Sequence, residues 1–305
     1  MYRTGREHMS SNKILLDNAY SSWSTAIHCC DAILNGMATL KNRKDFVSNL
    51  QNAVELFMKQ IMLDKNDFRV VTVKKSGEDG EPAKSYYSAT DLNTYFKSVD
   101  DDVMKKFYSL EFNEIITLHR KILDGYFVGQ QTFKEELELL ARLRNSETHF
   151  YIKPDRFLPE DDFIRLHNFM VDFYSVLEYF DLLPYWGDPS MEHKHLKFKR
   201  TKLVGYTYEG AVRNAPIVKT IAAEAGRIVF GNFPGGSAFS IANAIYSCAE
   251  NPFKETFDEI WAYVEMLDQF GMIDIDVETF PIDSVDETYC ARPGVETNYF
   301  ININL

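Results

Sequence analysis

An arginine, an asparagine and a histidine fall within the six-residue stretch RNSETH, at Arg144, Asn145 and His149. The stretch follows the apolar-periodic run 133–143, which predicts that it lies at the end of a helix. On a helix that turns by about 100° per residue, Asn145 and His149 share a face, whereas Arg144 and His149 diverge by roughly 140°. One helix therefore offers an incomplete site. Two copies about a two-fold axis would place two arginines and two histidines around one groove.

These residue types suit the cleavage of a phosphodiester bond in RNA. Histidine takes up and returns a proton near neutral pH, and arginine stays charged while it holds a phosphate by two hydrogen bonds. A base would remove the proton of the 2′-hydroxyl, an acid would protonate the leaving oxygen, and a cation would stabilise the phosphorane, without a metal ion or another cofactor. A structural alternative stays open, because such residues are also typical of a solvated helix end whose positive charge favours the C-terminus.

The order Arg, polar residue, three further residues, His at Arg144, Asn145 and His149 resembles the signature of the HEPN superfamily. These are helical proteins, many of them metal-independent RNases of bacterial toxin and defence systems. Residues 49–62 look like the second helix of that family, and the resemblance covers roughly residues 12–183. It implies that His149 transfers protons, that Arg144 holds and stabilises the scissile phosphate, and that Asn145 orients His149 or the arginine. It also implies a composite active site at a homodimer interface.

Hydrophobic periodicity predicts a mainly α chain. Apolar residues at steps of three and four predict long helices with short links, which describe an up-and-down, HEPN-like bundle. An alternating segment, a glycine-rich turn and a second segment predict a β-hairpin that pairs residues 68–73 with 85–88. The long helices are predicted over residues 14–39, 44–64, 103–123, from 133 onward, and 163–183.

The last third of the chain predicts a smaller α+β module. Ser237 is placed to cap a helix over 238–249, and a second amphipathic helix over 253–270 is followed by a strand over 272–277. This order resembles the end of a winged helix. The tail 299–305 alternates strictly and predicts a terminal strand at a sheet edge. The predicted domains are a bundle over 12–190, a basic linker over 191–204 and an acidic module over 205–305.

The negative charge is concentrated in the predicted C-terminal module. The whole chain has a net charge of −12, and residues 203–305 hold 15 acidic and 5 basic residues, a net of −10. A DNA duplex, with one charge per ~1.7 Å, would repel the would-be recognition helix. DNA is therefore not expected as a partner, and the module is expected to bind protein, either its own twin or a regulator such as an antitoxin. The acids of this helix region are Glu255, Asp258, Glu259, Glu265 and Asp268, against Lys254 alone.

The most basic segment of the chain, residues 194–202, has two interpretations. A charge run of this size is usually a solvated linker, and the functional interpretation is that it borders the RNA path and neutralises phosphates. The predicted RNA contacts are Lys197, Lys199, Arg200 and Lys202.

Composition excludes several classes of protein. With 45% hydrophobic and 14% aromatic residues the chain can bury a core. It has no run of about 20 apolar residues and no signal-peptide pattern, so a cytoplasmic protein without membrane contact is predicted. The four cysteines lack metal-binding spacing and are predicted to be buried thiols. His119 and His167 are predicted to be structural.

Two other functions stay open. One is a non-catalytic HEPN-like adaptor that dimerises and recruits a partner through its acidic module. The other is a transcription regulator, which would require a basic face on that module.

Overall fold

The computed structural model describes residues 15–65, 67, 70–73, 89, 95, 98–105, 107–126, 130–148, 156–183, 200–230, 237–248, 252–282 and 294–305. In these residues the chain forms ten helices and five strands, so the fold is mainly α with two small antiparallel sheets. The chain divides into two compact units. Unit 1 comprises residues 1–29 and 44–204, and unit 2 comprises residues 30–43 and 205–305. Residues 30–43, which the sequence assigned to the bundle, thus belong with the C-terminal part.

Two long helices open the described chain. They are α1 (Leu16–Leu34) and α2 (Leu40–Asp64). The rest of unit 1 consists of β1 (Val71–Val73), α3 (Asp101–Met104), β2 (Phe107–Ser109), α4 (Phe112–Ile122), α5 (Gln130–Thr148) and α6 (Glu160–Tyr179).

The two strands of unit 1 pair with each other in antiparallel register, with Val71 opposite Ser109 and Val73 opposite Phe107. The sequence predicted one helix over 103–123, which is wrong at Phe107–Ser109. Asp100 and Glu111 each begin a separate helix, because their positions let side chains satisfy free backbone N–H groups, and the aromatic residues between them extend against β1. The pairing predicted for β1, with residues 85–88, lies outside the described residues.

An aromatic cluster forms the core of unit 1. The rings of Trp23, Phe57 and Phe173 lie 5.9 to 6.2 Å apart, and Phe133 contacts Phe173 at 6.1 Å and Phe169 at 5.0 Å. Aromatic pairs of this kind contribute about 0.5–1.5 kcal/mol each beyond the area they bury. The cluster joins α1, α2, α5 and α6, and it therefore fixes α5, the helix that carries the candidate site.

Unit 2 has helices on a three-stranded sheet. Its elements are α7 (Tyr208–Asn214), α8 (Pro216–Ala225), β3 (Val229–Phe230), α9 (Ala238–Tyr246), α10 (Phe257–Gln269), β4 (Ile273–Ile282) and β5 (Gly294–Ile303). Both neighbours of β5 pair with it antiparallel, in the order β3-β5-β4. The predicted terminal strand is present, but the prediction of an edge position is wrong, because β5 lies between the other two strands.

Residues 30–43 are tied into unit 2 by specific contacts. The Tyr206 hydroxyl donates to the Ile33 carbonyl at 2.7 Å, and the Tyr263 hydroxyl donates to the Asn35 carbonyl at 3.3 Å. Gly36 has a φ of 96°, and a Cβ at this position would lie 3.0 Å from the Val212 Cα. Only glycine fits there without strain. The turn between α1 and α2 is therefore built for this close approach.

The cysteines were predicted to be buried thiols, and three of the four lie in the described residues. Cys29 and Cys30 are buried, Cys248 is half-buried, and Cys290 lies outside the described residues. Within the described helices, none has both the length and the apolar character needed to cross a membrane.

Candidate active site

Helix α5 presents Arg144 and Asn145 near its C-terminal end, and both are exposed. The preceding turns of the helix are buried through Phe133, Leu137 and Leu140. Two ion pairs also join α5 to α6, from Arg165 Nε to Glu136 Oε1 at 3.2 Å and from Arg142 to Asp162 at 3.4 Å. Arg144 lies about 40° from Leu140 around the helix axis, one turn further along, so it continues the line of the buried stripe at the exposed end of the helix.

Arg144 and Asn145 border a cavity of about 330 Å³ in unit 1. This volume lies at the lower end of the range of ligand pockets. Its walls come from three parts of the chain, namely one face of α2, the segment from the end of β2 through the first turn of α4, and α5. The polar residues of the lining are Gln51, Glu55, Ser109, Glu111, Asn113, Arg144 and Asn145.

A buried lysine braces two walls of this cavity. Lys59 Nζ lies 2.6 Å from Glu55 Oε1 and donates to the Ser109 hydroxyl at 2.5 Å. The Lys59 side chain is 4% exposed and that of Glu55 19%. A charge removed from water in this way is stable only while its partner is present. The pair therefore holds the α2 wall against the end of β2.

Gln51 is the most deeply buried polar residue of the lining. It is 5% exposed, and within the described part of the chain its Oε1 has no hydrogen-bond partner. An amide oxygen left unpaired inside a protein costs about 1–3 kcal/mol. A water molecule or a ligand group that donates a hydrogen bond would satisfy this oxygen.

The lining of the cavity contains both positive and negative groups. The first turn of α4 contributes the positive end of a helix dipole, which attracts anions, and Glu55 and Glu111 contribute carboxylates. Among the described lining residues, Arg144 is the only cation. The side chains of Glu111 and Glu114 already cap the α4 terminus, so an anionic group is favoured beside Arg144 and disfavoured next to the carboxylates.

The predicted site is described only in part. Arg144 and Asn145 are adjacent at the cavity, whereas His149 lies outside the described residues, as do Lys197 and Lys199.

The two described residues of the predicted RNA contacts are already engaged. The Arg200 guanidinium lies 2.8 Å from a Glu178 carboxylate oxygen and 4.0 Å from the centre of the Tyr174 ring. Lys202 forms an ion pair with Asp172 at 2.9 Å. RNA would have to compete with these carboxylates for both cations.

His119 and His167, the two histidines predicted to be structural, are both buried. His119 is 4% exposed and its Nδ1 lies 2.6 Å from the Ile116 carbonyl oxygen. His167 is 2% exposed, and burial lowers its pKa, an effect opposed by a hydrogen bond with the Asn168 side chain. Neither residue lines the cavity.

The sequence contains a signal for part of this cavity that the motif alone does not reveal. Gln51, Glu55 and Lys59 recur at four-residue steps, so they form a polar stripe on one face of α2. Ser109 and Glu111 carry no comparable signal. They reach the cavity because β1 and β2 pair, and that pairing depends on distant parts of the chain.

Comparisons of the chain with family models, with curated proteins and with solved structures give no match. The resemblance to HEPN proteins therefore rests on the sequence motif and stays a prediction. In the described residues, no three His, Cys, Asp or Glu side chains are grouped so that they could hold a metal ion.

Proposed function

We propose that the chain is a metal-independent endoribonuclease of a bacterial toxin or phage-defence type, completed by a second copy of itself. The observation that carries the proposal is that Arg144 and Asn145 lie side by side and exposed at the border of a polar cavity. Arg144 would bind the scissile phosphate and stabilise its developing charge. His149, four residues beyond Asn145, would transfer the proton, and Asn145 would orient it.

The fold assignments belong to the same proposal. The five helices of unit 1 that are eleven residues or longer support a HEPN-like bundle. In unit 2 the order from α8 through β5 is helix, strand, helix, helix, strand, strand, with β5 central, and this supports a winged-helix-like module. A cytoplasmic location, where RNA is available, follows from the proposed activity.

The RNA path would extend along Lys197, Lys199, Arg200 and Lys202. In this proposal Arg200 and Lys202 exchange Glu178 and Asp172 for phosphate oxygens when RNA binds. Because each exchange breaks an existing ion pair, these residues add little affinity. In this proposal the binding energy comes mainly from Arg144, its symmetry mate and the lysines Lys197 and Lys199.

RNA cleavage in EDTA tests the proposal. We expect the purified protein to cut RNA without added metal, and Arg144→Ala or His149→Ala to lower the rate by about 100-fold or more. Arg142→Ala is the matched control, because Arg142 is an exposed arginine on the same helix that pairs with Asp162. Cleavage that requires a metal ion, or that survives both changes, would refute this function.

A non-catalytic adaptor is the second candidate. The carboxylates of Glu55 and Glu111 in the cavity favour it, because they would repel the backbone of RNA. In that case the wild-type protein would dimerise and bind a protein partner, yet leave RNA intact in the same assay. Loss of dimerisation in Arg144→Ala would then be its expected effect.

A further inference from the structure

Unit 2 exposes a cluster of aromatic side chains on α9 and α10, here called the aromatic patch and defined as Phe239, Tyr246, Phe257 and Trp261. Phe239 is 49% exposed and Trp261 37%. The rings are in mutual contact, with centroids 5.3 Å apart for Phe239 and Trp261, 5.4 Å for Phe239 and Phe257, and 5.6 Å for Tyr246 and Phe257. The patch is therefore one continuous apolar surface rather than scattered residues.

The exposed residues of the aromatic patch lie outside the buried faces by which α9 and α10 pack in unit 2. Helix α10 already buries one face through Ile260, Tyr263, Val264 and Leu267. Trp261 lies outside that face, and α9 likewise buries Ile241 and Ile245 rather than Phe239. Large aromatic residues left exposed together mark interaction surfaces, and tryptophan and tyrosine dominate the binding energy of such surfaces.

Acidic residues surround the aromatic patch on α10. Asp258, Glu265 and Asp268 are exposed and lie within roughly 60° of Trp261 around the helix axis, at about 100° per residue. The helix contains no Lys or Arg. Residues 203–305 together carry the net charge of −10.

We propose that the aromatic patch docks a basic segment of another protein, in which one or two apolar side chains are flanked by Lys and Arg. The apolar anchors fill the ring cluster, and the cations pair with Asp258, Glu265 and Asp268. A second copy that presents the same face is disfavoured, because two acidic surfaces would meet. Nucleic acid and anionic lipid are disfavoured for the same reason. This inference does not depend on ribonuclease activity.

Peptide binding to the full-length protein tests the inference. The probes are synthetic amphipathic peptides with identical Leu and Phe anchors at several spacings, one series bearing Lys and Arg and the other bearing Glu. We expect a basic peptide to bind, with an affinity that falls as the salt concentration rises. The double variant Phe239→Ser/Trp261→Ser should bind the same peptide about tenfold or more weakly than the wild type. Asp258→Lys/Asp268→Lys should weaken its binding as well.

The control variant is Val204→Ser, which removes an apolar side chain that is 93% exposed and should leave peptide binding unchanged. Unfolding midpoints equal to that of the wild type will show that the patch variants fold. Three results would overturn the inference. They are basic peptides that bind no better than acidic ones, patch variants that turn a dimer into monomers, and patch variants that weaken RNA binding instead.

Discussion

The cavity of unit 1 and the aromatic patch of unit 2 are built on opposite principles. The cavity is polar, has a buried ion pair in its wall, and offers Arg144 to a ligand. The aromatic patch is apolar and lies on α9 and α10; neither helix contains Lys or Arg, and α10 has acidic residues. The first suits an anion and the second a cation. The uneven charge of the sequence thus corresponds to two surfaces for which different partners are proposed.

One ion pair in each unit gives a direct measure of this difference. Lys59 and Glu55 in unit 1, and Arg213 and Glu209 in unit 2, are both spaced i,i+4 and lie 2.6 and 2.8 Å apart. Their burial differs, with side chains 4% and 19% exposed in the first pair and 41% and 50% in the second. Equal geometry should therefore have unequal energetic consequences.

The largest effect is predicted for Lys59→Met. It leaves the Glu55 carboxylate without its cation in a nearly dry wall, which should lower the free energy of unfolding by about 3–5 kcal/mol. Arg213→Met should cost no more than about 1 kcal/mol, because that pair is screened by water. Urea unfolding of the full chain measures both. Similar losses for the two variants would show that burial does not distinguish these surfaces.

The second prediction concerns a mixture of two inactive variants, which tests whether two subunits share one active site. Arg144→Ala and His149→Ala should each be nearly inactive on RNA. If one subunit supplies the arginine and the other the histidine, a one-to-one mixture should recover about one quarter of wild-type activity, because half the dimers are mixed and each has one intact site of two.

The subunits are exchanged by unfolding and refolding the two variants together. The control is Arg144→Ala unfolded and refolded alone. A mixture of the two variants that stays as inactive as its components would contradict a shared site. Activity in a monomeric protein would contradict it as well.

The features that were predicted correctly are those that a local sequence pattern determines. The periodicity over 44–64 predicted α2, observed as Leu40–Asp64, because its apolar stripe is buried against other helices. Ser237 does cap α9, since its hydroxyl accepts from the Ser240 N–H. These features depend on residues within a few positions of each other.

Features that depend on distant residues were predicted poorly. Neither the pairing of β1 with β2 nor the central position of β5 has a signal in its own segment, because a strand's partner is chosen by the whole sheet. Gln51 and Ser109 reach the candidate site in the same way, through contacts between segments far apart. The motif predicted Arg144 and Asn145 as candidate residues, but the cavity beside them is a tertiary feature.

A smaller effect is predicted for the double variant Arg200→Gln/Lys202→Gln. Because both cations already pair with carboxylates, their removal should weaken RNA binding only a few-fold and change the salt-dependence slope by less than one unit per cation. Binding at several salt concentrations measures the slope, with Lys105→Gln as a control that removes an exposed, paired lysine. If the double variant lowers the salt-dependence slope by two units, both cations contact phosphates in the complex. Their ion pairs with Glu178 and Asp172 would then not limit RNA binding.

The smallest predicted effect is a difference in pH dependence between the units. Burial lowers the pKa of His167 in unit 1 from its ordinary 6.5, an effect opposed by the Asn168 hydrogen bond. The unfolded chain therefore takes up this proton first, and stability is lost as the pH falls below 6.5. Burial raises the pKa of Glu265 in unit 2 from 4.5, an effect opposed by Arg43, so stability is lost as the pH rises above 4.5.

The two slopes have opposite signs, so substitutions can separate them. Denaturant unfolding between pH 4.5 and 7 should show that His167→Asn removes the loss on the acidic side, whereas Glu265→Gln removes the loss that occurs as the pH rises. Each variant should leave the contribution of the other residue in place, because each residue belongs to a different unit. If His167→Asn keeps the wild-type pH profile, the buried imidazole of unit 1 is not the group that titrates, and the contrast in titration between the two units fails.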